Sequence, residues 1–258
     1  GQNFDTPNSG NGNGGPSYFY DFDSEDHFIW VAMQDDEICR WERDTIDNRE
    51  CWDDDDGLPS AGQGIWYNGV KFIGTNKLLV TSNNGAAVFD TNTFSVTDEW
   101  IPSGAGTDSA AVVQYDGIIY LGISGDGIAR YDSVNDLWLP TWNSAGGVLP
   151  DDDVVEMTFD ESREMLWVGG EFGLAQIDIQ SGMLSHQIDQ STNGLNGNSP
   201  QQLLIHDDIL YYVPLLSSWY FADIARIALS NNSGLDPISV GDGHIQSGGD
   251  GDGLDAYI

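Results

Sequence analysis

The chain has 258 residues, 40% of them apolar, and 42 acidic against 8 basic residues give it a formal net charge of −34. That balance excludes nucleic acid as a partner, because phosphate contact needs clustered cations, and it disfavours anionic membrane surfaces. The longest apolar run, 209–216, contains a proline and is far shorter than the roughly 18 residues a spanning helix needs, so no membrane insertion is expected.

In chain order, residues 1–17 are rich in Gly, Asn, Ser and Pro and read as a flexible leader. The alternative is that Gln2-Asn3-Phe4-Asp5 supplies a closing outer strand. From residue 18 onward one strand-turn-strand phrase returns five times. It starts weakly at Phe28-Ile29-Trp30-Val31. It is clearer at Leu78-Leu79-Val80 with Gly85-Ala86-Ala87-Val88-Phe89-Asp90, and at Ile118-Ile119-Tyr120-Leu121-Gly122 with Gly127-Ile128-Ala129-Arg130-Tyr131-Asp132. Its fullest copy begins at Met165-Leu166-Trp167-Val168-Gly169 and ends at Ile177-Asp178; a weak fifth copy starts at Ile209-Leu210-Tyr211. The second half-phrase opens at Glu37, Gly85, Gly127, Gly173 and Asp223, spaced by 48, 42, 46 and 50 residues. A period of roughly 40–50 residues with four short strands per unit is a β-propeller signature.

The expected fold is therefore all-β: a propeller domain over 18–258, with four-stranded blades at 18–56, 57–102, 103–146, 147–196 and 197–237 and a partial sixth at 238–258. In the fourth unit the alternation predicts strands at 154–159, 165–169, 174–179 and 184–188. Asp116-Gly117 is a two-residue hairpin link, and Ser181-Gly182 and Asn232-Ser233-Gly234 are turn chemistry. The sixth unit rests on a gapless match of 238–257 to 112–131. The competing reading makes 235–240 the last strand of the fifth unit. Propellers close to protect their edges, so either the N-terminus completes the sixth blade or the chain is a piece of a longer propeller.

The stretch from Gly147-Val148-Leu149-Pro150-Asp151 to Asp178 resembles the repeat of the two-component regulator propellers: Leu-Pro, a polar turn, a strand, an acidic turn, then Leu-Trp-Val-Gly and Gly-Leu. Gly57-Leu58-Pro59-Ser60 repeats the Leu-Pro opening. The resemblance spans roughly residues 18–230, strongly in one unit. It implies a propeller of the kind used for extracytoplasmic sensing or binding, and it implies no kinase activity.

Asp outnumbers Glu 33 to 9 and only two lysines are present, Lys71 and Lys77. Such Asp-rich, Lys-poor surfaces suit a saline setting, since self-repulsion on this scale needs screening. Cys39 and Cys51 fall on the third and fourth strands of the first unit, reflected about a turn near 44–48. A cross-strand disulfide fits that reflection and would place the protein in an oxidising, extracellular compartment; two buried thiols are the alternative. Arg40, Arg130 and Arg226 share one repeat position and are expected to be structural, pairing neighbouring blades.

Meander direction sorts the loops into two ends. One end, carrying the connections after the second and fourth strands, collects Asp35, Asp36, 53–56, Asp108, Asp126, 151–153 and Glu171. The other collects Arg43, Arg49, Lys77 and Arg163. The acidic end is a candidate docking face, with Asp53, Asp54, Asp151 and Asp152 as ligand-binding residues; the plainer reading is that loops of an acidic protein are acidic. The fifth unit adds an aromatic insertion there, Trp219-Tyr220-Phe221, which is either a recognition patch or a lid. Asp250, Asp252 and Asp255 have half the spacing of a calcium loop, so calcium is the one cofactor the sequence raises. His27, His186, His206 and His244 lack zinc-ligand spacing, and no nucleophile elbow or phosphate loop is present. Glu156, on an inner strand of the fourth unit, comes closest to a catalytic carboxylate.

The sequence thus points to an extracellular or cell-surface propeller acting as a binding module, its partner a glycan, a cation or another protein. Its rivals are a glycan-active enzyme, which would need a second carboxylate beside the first, and a structural repeat of a large surface protein.

Overall fold

The computed structural model describes residues 19–25, 27–33, 37–59, 67–82, 85–100, 109–189, 200–214, 224–230 and 233–238. They form five four-stranded antiparallel sheets, each a meander of consecutive strands. The first sheet contains β1 (Phe19–Glu25), β2 (Phe28–Met33), β3 (Ile38–Glu42) and β4 (Thr45–Trp52). The second contains β5 (Tyr67–Gly74), β6 (Lys77–Ser82), β7 (Gly85–Asp90) and β8 (Ser95–Trp100). The third contains β9 (Ser109–Tyr115), β10 (Ile118–Ile123), β11 (Gly127–Asp132) and β12 (Leu137–Trp142). The fourth contains β13 (Val154–Asp160), β14 (Met165–Gly170), β15 (Gly173–Asp178) and β16 (Met183–Ile188). The fifth contains β17 (Pro200–His206), β18 (Ile209–Pro214), β19 (Ile224–Ala228) and β20 (Ser233–Ile238).

The four strands expected in the fourth unit are found within a residue of their predicted bounds. At the far end, Ile238 pairs with Ile224 and closes β20. It is therefore the last strand of the fifth sheet that occupies Leu235 to Ile238, and Ile238 cannot also open a sixth unit; residues 239–258 lie outside the described residues, as do 1–18.

Each sheet packs on the next, and four apolar clusters fill the seams. Trp30, Ala32 and Ile38 meet Val70, Leu78 and Phe89 between the first two sheets. Leu79 and Val88 meet Leu121 and Tyr131 in the second seam, Tyr120 and Trp142 meet Val168 and Ile177 in the third, and Trp167 and Leu174 meet Leu203, Leu210 and Tyr212 in the fourth. Successive first strands β1, β5, β9, β13 and β17 adjoin one another. All five carry a bulge one residue from their start, which turns each strand sharply where it leaves its loop.

The repeat letters now have physical causes. Gly127 and Gly173 sit at φ 87° and 94°. A Cβ there would come within 2.3 Å of the Trp142 carbonyl oxygen and 2.4 Å of that of Ile188, so β11 and β15 must open on glycine. The Asp that ends each clear copy caps the next turn. Asp90 accepts from the backbone N–H of Asn92 and Thr93, Asp132 from Val134 and Asn135, and Asp178 from Ser181. These bonds, led at Asp132 by one from the Asn135 side-chain amide, hold all three carboxyls below the ordinary Asp range. A glutamate's longer side chain suits this local bond less well, which accounts for part of the preference for Asp over Glu. The Leu of the two Leu-Pro openings is a plug: Leu58 is buried in the first seam and Leu149 in the third.

Candidate functional site

The acidic loop end is held by its own carboxylates. Residues 54–56 form one 3₁₀ turn with Asp53 as its cap: the Asp55 N–H donates to Asp53 Oδ1 at 2.9 Å, and the Asp53 N–H to Asp56 Oδ2 at 3.2 Å. The turn then delivers Leu58 to the seam. Asp54 and Asp55 are exposed on its outer side.

A second bracket lies at the third seam. The Ser144 N–H and hydroxyl donate to Asp152 at 2.5 and 2.9 Å, while the Asp152 carbonyl accepts from Gly125 and Gly127 at 3.0 Å each. Asp153 accepts from the Ser124 hydroxyl, and Asp151 from the Asp153 N–H at 3.0 Å. This ties the loop before β13 to the turn between β10 and β11. Of the predicted ligand-binding residues, Asp53 and Asp152 thus have bracing work within the protein, while Asp54 and Asp151 present exposed carboxylates on the same end. Exposed Glu171 joins them there. Trp219, Tyr220 and Phe221 lie outside the described residues, and so do Asp250, Asp252 and Asp255.

The basic residues bind sheets together. Lys77 Nζ lies 2.5 Å from Asp136 of the third sheet, whose carboxylate also accepts from the Tyr131 hydroxyl. Lys77 first, then Tyr131, holds Asp136 below the ordinary range. Arg163 pairs with Asp160 at 2.9 Å and with Asp208 of the fifth sheet at 3.0 Å. The Arg40 guanidinium lies 4.3 Å from the Phe28 ring and 4.4 Å from that of Phe94 in the second sheet, so it bridges two units as expected. Arg130 stays within its own sheet, over Trp142 at 4.3 Å and donating to the Pro140 carbonyl. Arg49 departs from the expected sorting. It stands opposite Trp41 within β4 and reaches Glu37 at 2.9 Å, at the acidic end rather than the basic one.

Cys39 and Cys51 face each other in register, and their sulfurs are joined. With Glu37 they are the one group of three close metal-ligating side chains among the described residues, but a disulfide offers no thiolate.

Glu156 is the carboxyl that stands apart chemically. Burial lifts its pKa from 4.5 to about 7, opposed by a bond from the Met157 N–H. Its signal in the sequence was a lone acid in an alternating inner strand; the depth of the seam beside it could not be read from one strand.

The described fold is all-β and propeller-like. No protein-family model matches the chain, and no curated protein matches it, so the two-component regulator propeller remains a resemblance. Solved structures do match in fold. The extracellular domain of the putative hybrid two component system BT4673 from B. thetaiotaomicron aligns over 90% of this chain and 32% of its own, at TM-score 0.64 and 15% identity. A chain of a mitotic checkpoint complex aligns over 82% of this chain and 62% of its own, at TM-score 0.60 and 13% identity. The computationally designed Ika8 protein aligns over 84% and 60%, at TM-score 0.59 and 13% identity. The chain spans between about a third and three-fifths of the solved chains it matches. No helix among the described residues is long and apolar enough to cross a membrane.

Proposed function

We propose that this chain is the β-propeller binding module of an extracellular or cell-surface protein, its five sheets serving as blades, and that it engages a cationic protein surface through its acidic loop end. The observation that carries the reading is the division of charge. At one end Lys77 and Arg163 pair with carboxylates of a neighbouring sheet and offset part of the exposed acid there, whereas the other end exposes Asp54, Asp55, Asp151 and Glu171 on loops braced by neighbouring carboxylates. Braced loops lose little freedom on binding, and clustered carboxylates steer a basic partner by long-range attraction. The disulfide and the fold shared with an extracellular sensor domain support the location.

The test is a four-site charge swap. Asp54→Asn, Asp55→Asn, Asp151→Asn and Glu171→Gln together should abolish binding of a lysine-rich peptide probe at physiological salt. Neutralising Asp44, Asp116, Glu161 and Asp207, exposed at the opposite end, should leave it intact. Equal loss from both sets would mean that net charge alone attracts the probe. Binding of a neutral glycan or of calcium, undiminished by the first set, would favour the other ligand classes.

A further inference from the structure

The seam between the fourth and fifth sheets holds a carboxyl that meets no cation among the described residues. Glu156 stands opposite Gly169 in the β13–β14 register, and residues directly opposite on antiparallel strands project to the same face. A Cβ at Gly169 would lie 2.0 Å from Cγ of Pro200, the first residue of β17. Glu156 therefore projects toward the fifth sheet, beside Pro200, at the loop end of the seam. Two residues further along the same face, Thr158 faces Trp167, which is fully buried against Leu203 and Leu210 and whose indole N–H meets no acceptor among the described residues. At the same repeat position the second and third sheets have Gly69 and Ala111.

Among the described residues, the elements packed around Glu156 supply no compensating charge. β14 has no charged residue. β9 contributes Tyr115 and β17 His206, each at the far end of its strand, opposite Ile118 and Ile209. Asp160 on β13 is also at that far end, engaged by Arg163. At the near end the neighbouring acids, Asp152 and Asp153, are bonded to Ser144 and Ser124.

We propose that Glu156 makes this seam a proton-controlled joint: neutral, the side chain lies between β13 and β17 and the loop end stays closed; ionised, it must reach water, and the two strands separate there. Burial of the carboxyl, which raises its pKa to about 7, agrees with this and places the change near neutrality. A raised folded-state value means that closure is fully favoured below the free value of 4.5 and is lost as pH rises through 7. The residues displaced on opening include the 151–153 bracket that precedes β13, so pH would alter the loop end whatever ligand binds there.

Hydrogen exchange of the intact chain tests this at pH 5.5 and 8.0, corrected for intrinsic rates and at fixed ionic strength. Wild-type peptides covering β13, β14 and β17 should exchange roughly thirtyfold faster at the higher pH. In Glu156→Gln, which is shaped like the neutral acid and so keeps the fold, they should not change. Glu171→Gln, an exposed acid of the same end, should behave as wild type. The proposal is overturned if wild type shows no local change, if Glu156→Gln retains it, if Glu171→Gln abolishes it, or if β5 to β7 change as much.

Discussion

Gly169→Ala tests how tightly successive sheets engage. The new methyl would lie 2.0 Å from Pro200 Cγ, 3.1 Å from Cδ and 3.3 Å from Cβ. Carbon atoms rest about 3.5–4.0 Å apart, so the proline ring must retreat by roughly 1.5 Å, and the rigid ring can do so only by moving the start of β17. Overpacking of this kind costs about 1–3 kcal/mol, while the alanine restricts the unfolded chain and returns about 0.4–1 kcal/mol. A net loss of about 1–2 kcal/mol should lower Tm by roughly 2–8 °C for a domain of this size. Gly74→Ala is the matched control: its nearest atoms are Lys77 carbons at 3.9 and 4.0 Å, an ordinary contact, so Tm should hold or rise. Differential scanning calorimetry of Gly169→Ala, Pro200→Ala and the double variant completes a cycle. The double variant should recover most of the loss; a Gly169→Ala protein melting within 1 °C of wild type, or a cycle with no coupling, would refute the seam contact.

Denatured, unreduced protein should contain no free thiol, and replacing both Cys39 and Cys51 by Ala should cost about 3 kcal/mol in the chain-entropy model for a loop of this length; denaturant titration reads it. Raising monovalent salt from 0.01 to 0.15 M shortens the Debye length from about 30 to about 8 Å, so Tm should rise with −34 charges to screen; a flat profile would contradict the repulsion argument. Asp90→Ala should lose stability relative to wild type above about pH 4 and converge with it in acid, because a carboxyl held below its free value contributes above that value and ceases to contribute as pH falls through its folded one; thermal melts from pH 3 to 6 test the convergence. Trp219→Ala should weaken binding of the lysine-rich probe without lowering Tm if the insertion is a recognition patch, and should lower Tm alone if it is a lid.

The sheets were legible because a repeat is its own alignment. Gly127 and Gly173 could be matched by position before anything was known of the carbonyls packed against them, and the Asp closing each phrase could be matched before its turn was seen. A repeat reports what every unit needs locally. It does not report what differs between units, and there the sequence reading strayed. Ile238 matches Val112 in letters, yet it pairs with Ile224 as the last residue of β20, a partner that the match could not show. Arg49 was sorted by its distance from a turn, but β4 begins at Thr45, and the long side chain pairs with Glu37 near the opposite end of the strand.

The candidate site was less legible for a related reason. In so acidic a chain the type of a residue says little about its task, because Asp caps turns, braces loops and covers surface alike. Asp152 and Asp54 are chemically the same letter, but one carboxylate is engaged by Ser144 and the other stands exposed on a 3₁₀ turn. What marks Asp152 out is Ser144, a neighbour from the start of the same loop that the letter Asp does not reveal. The scarce cations obey the opposite logic. With so few of them, several are placed where one charge can join two sheets, as Lys77 does with Asp136 and Arg163 with Asp208. Exposed ion pairs contribute only about 0–1 kcal/mol each, so their value here is less in stability than in fixing how one sheet sits on the next.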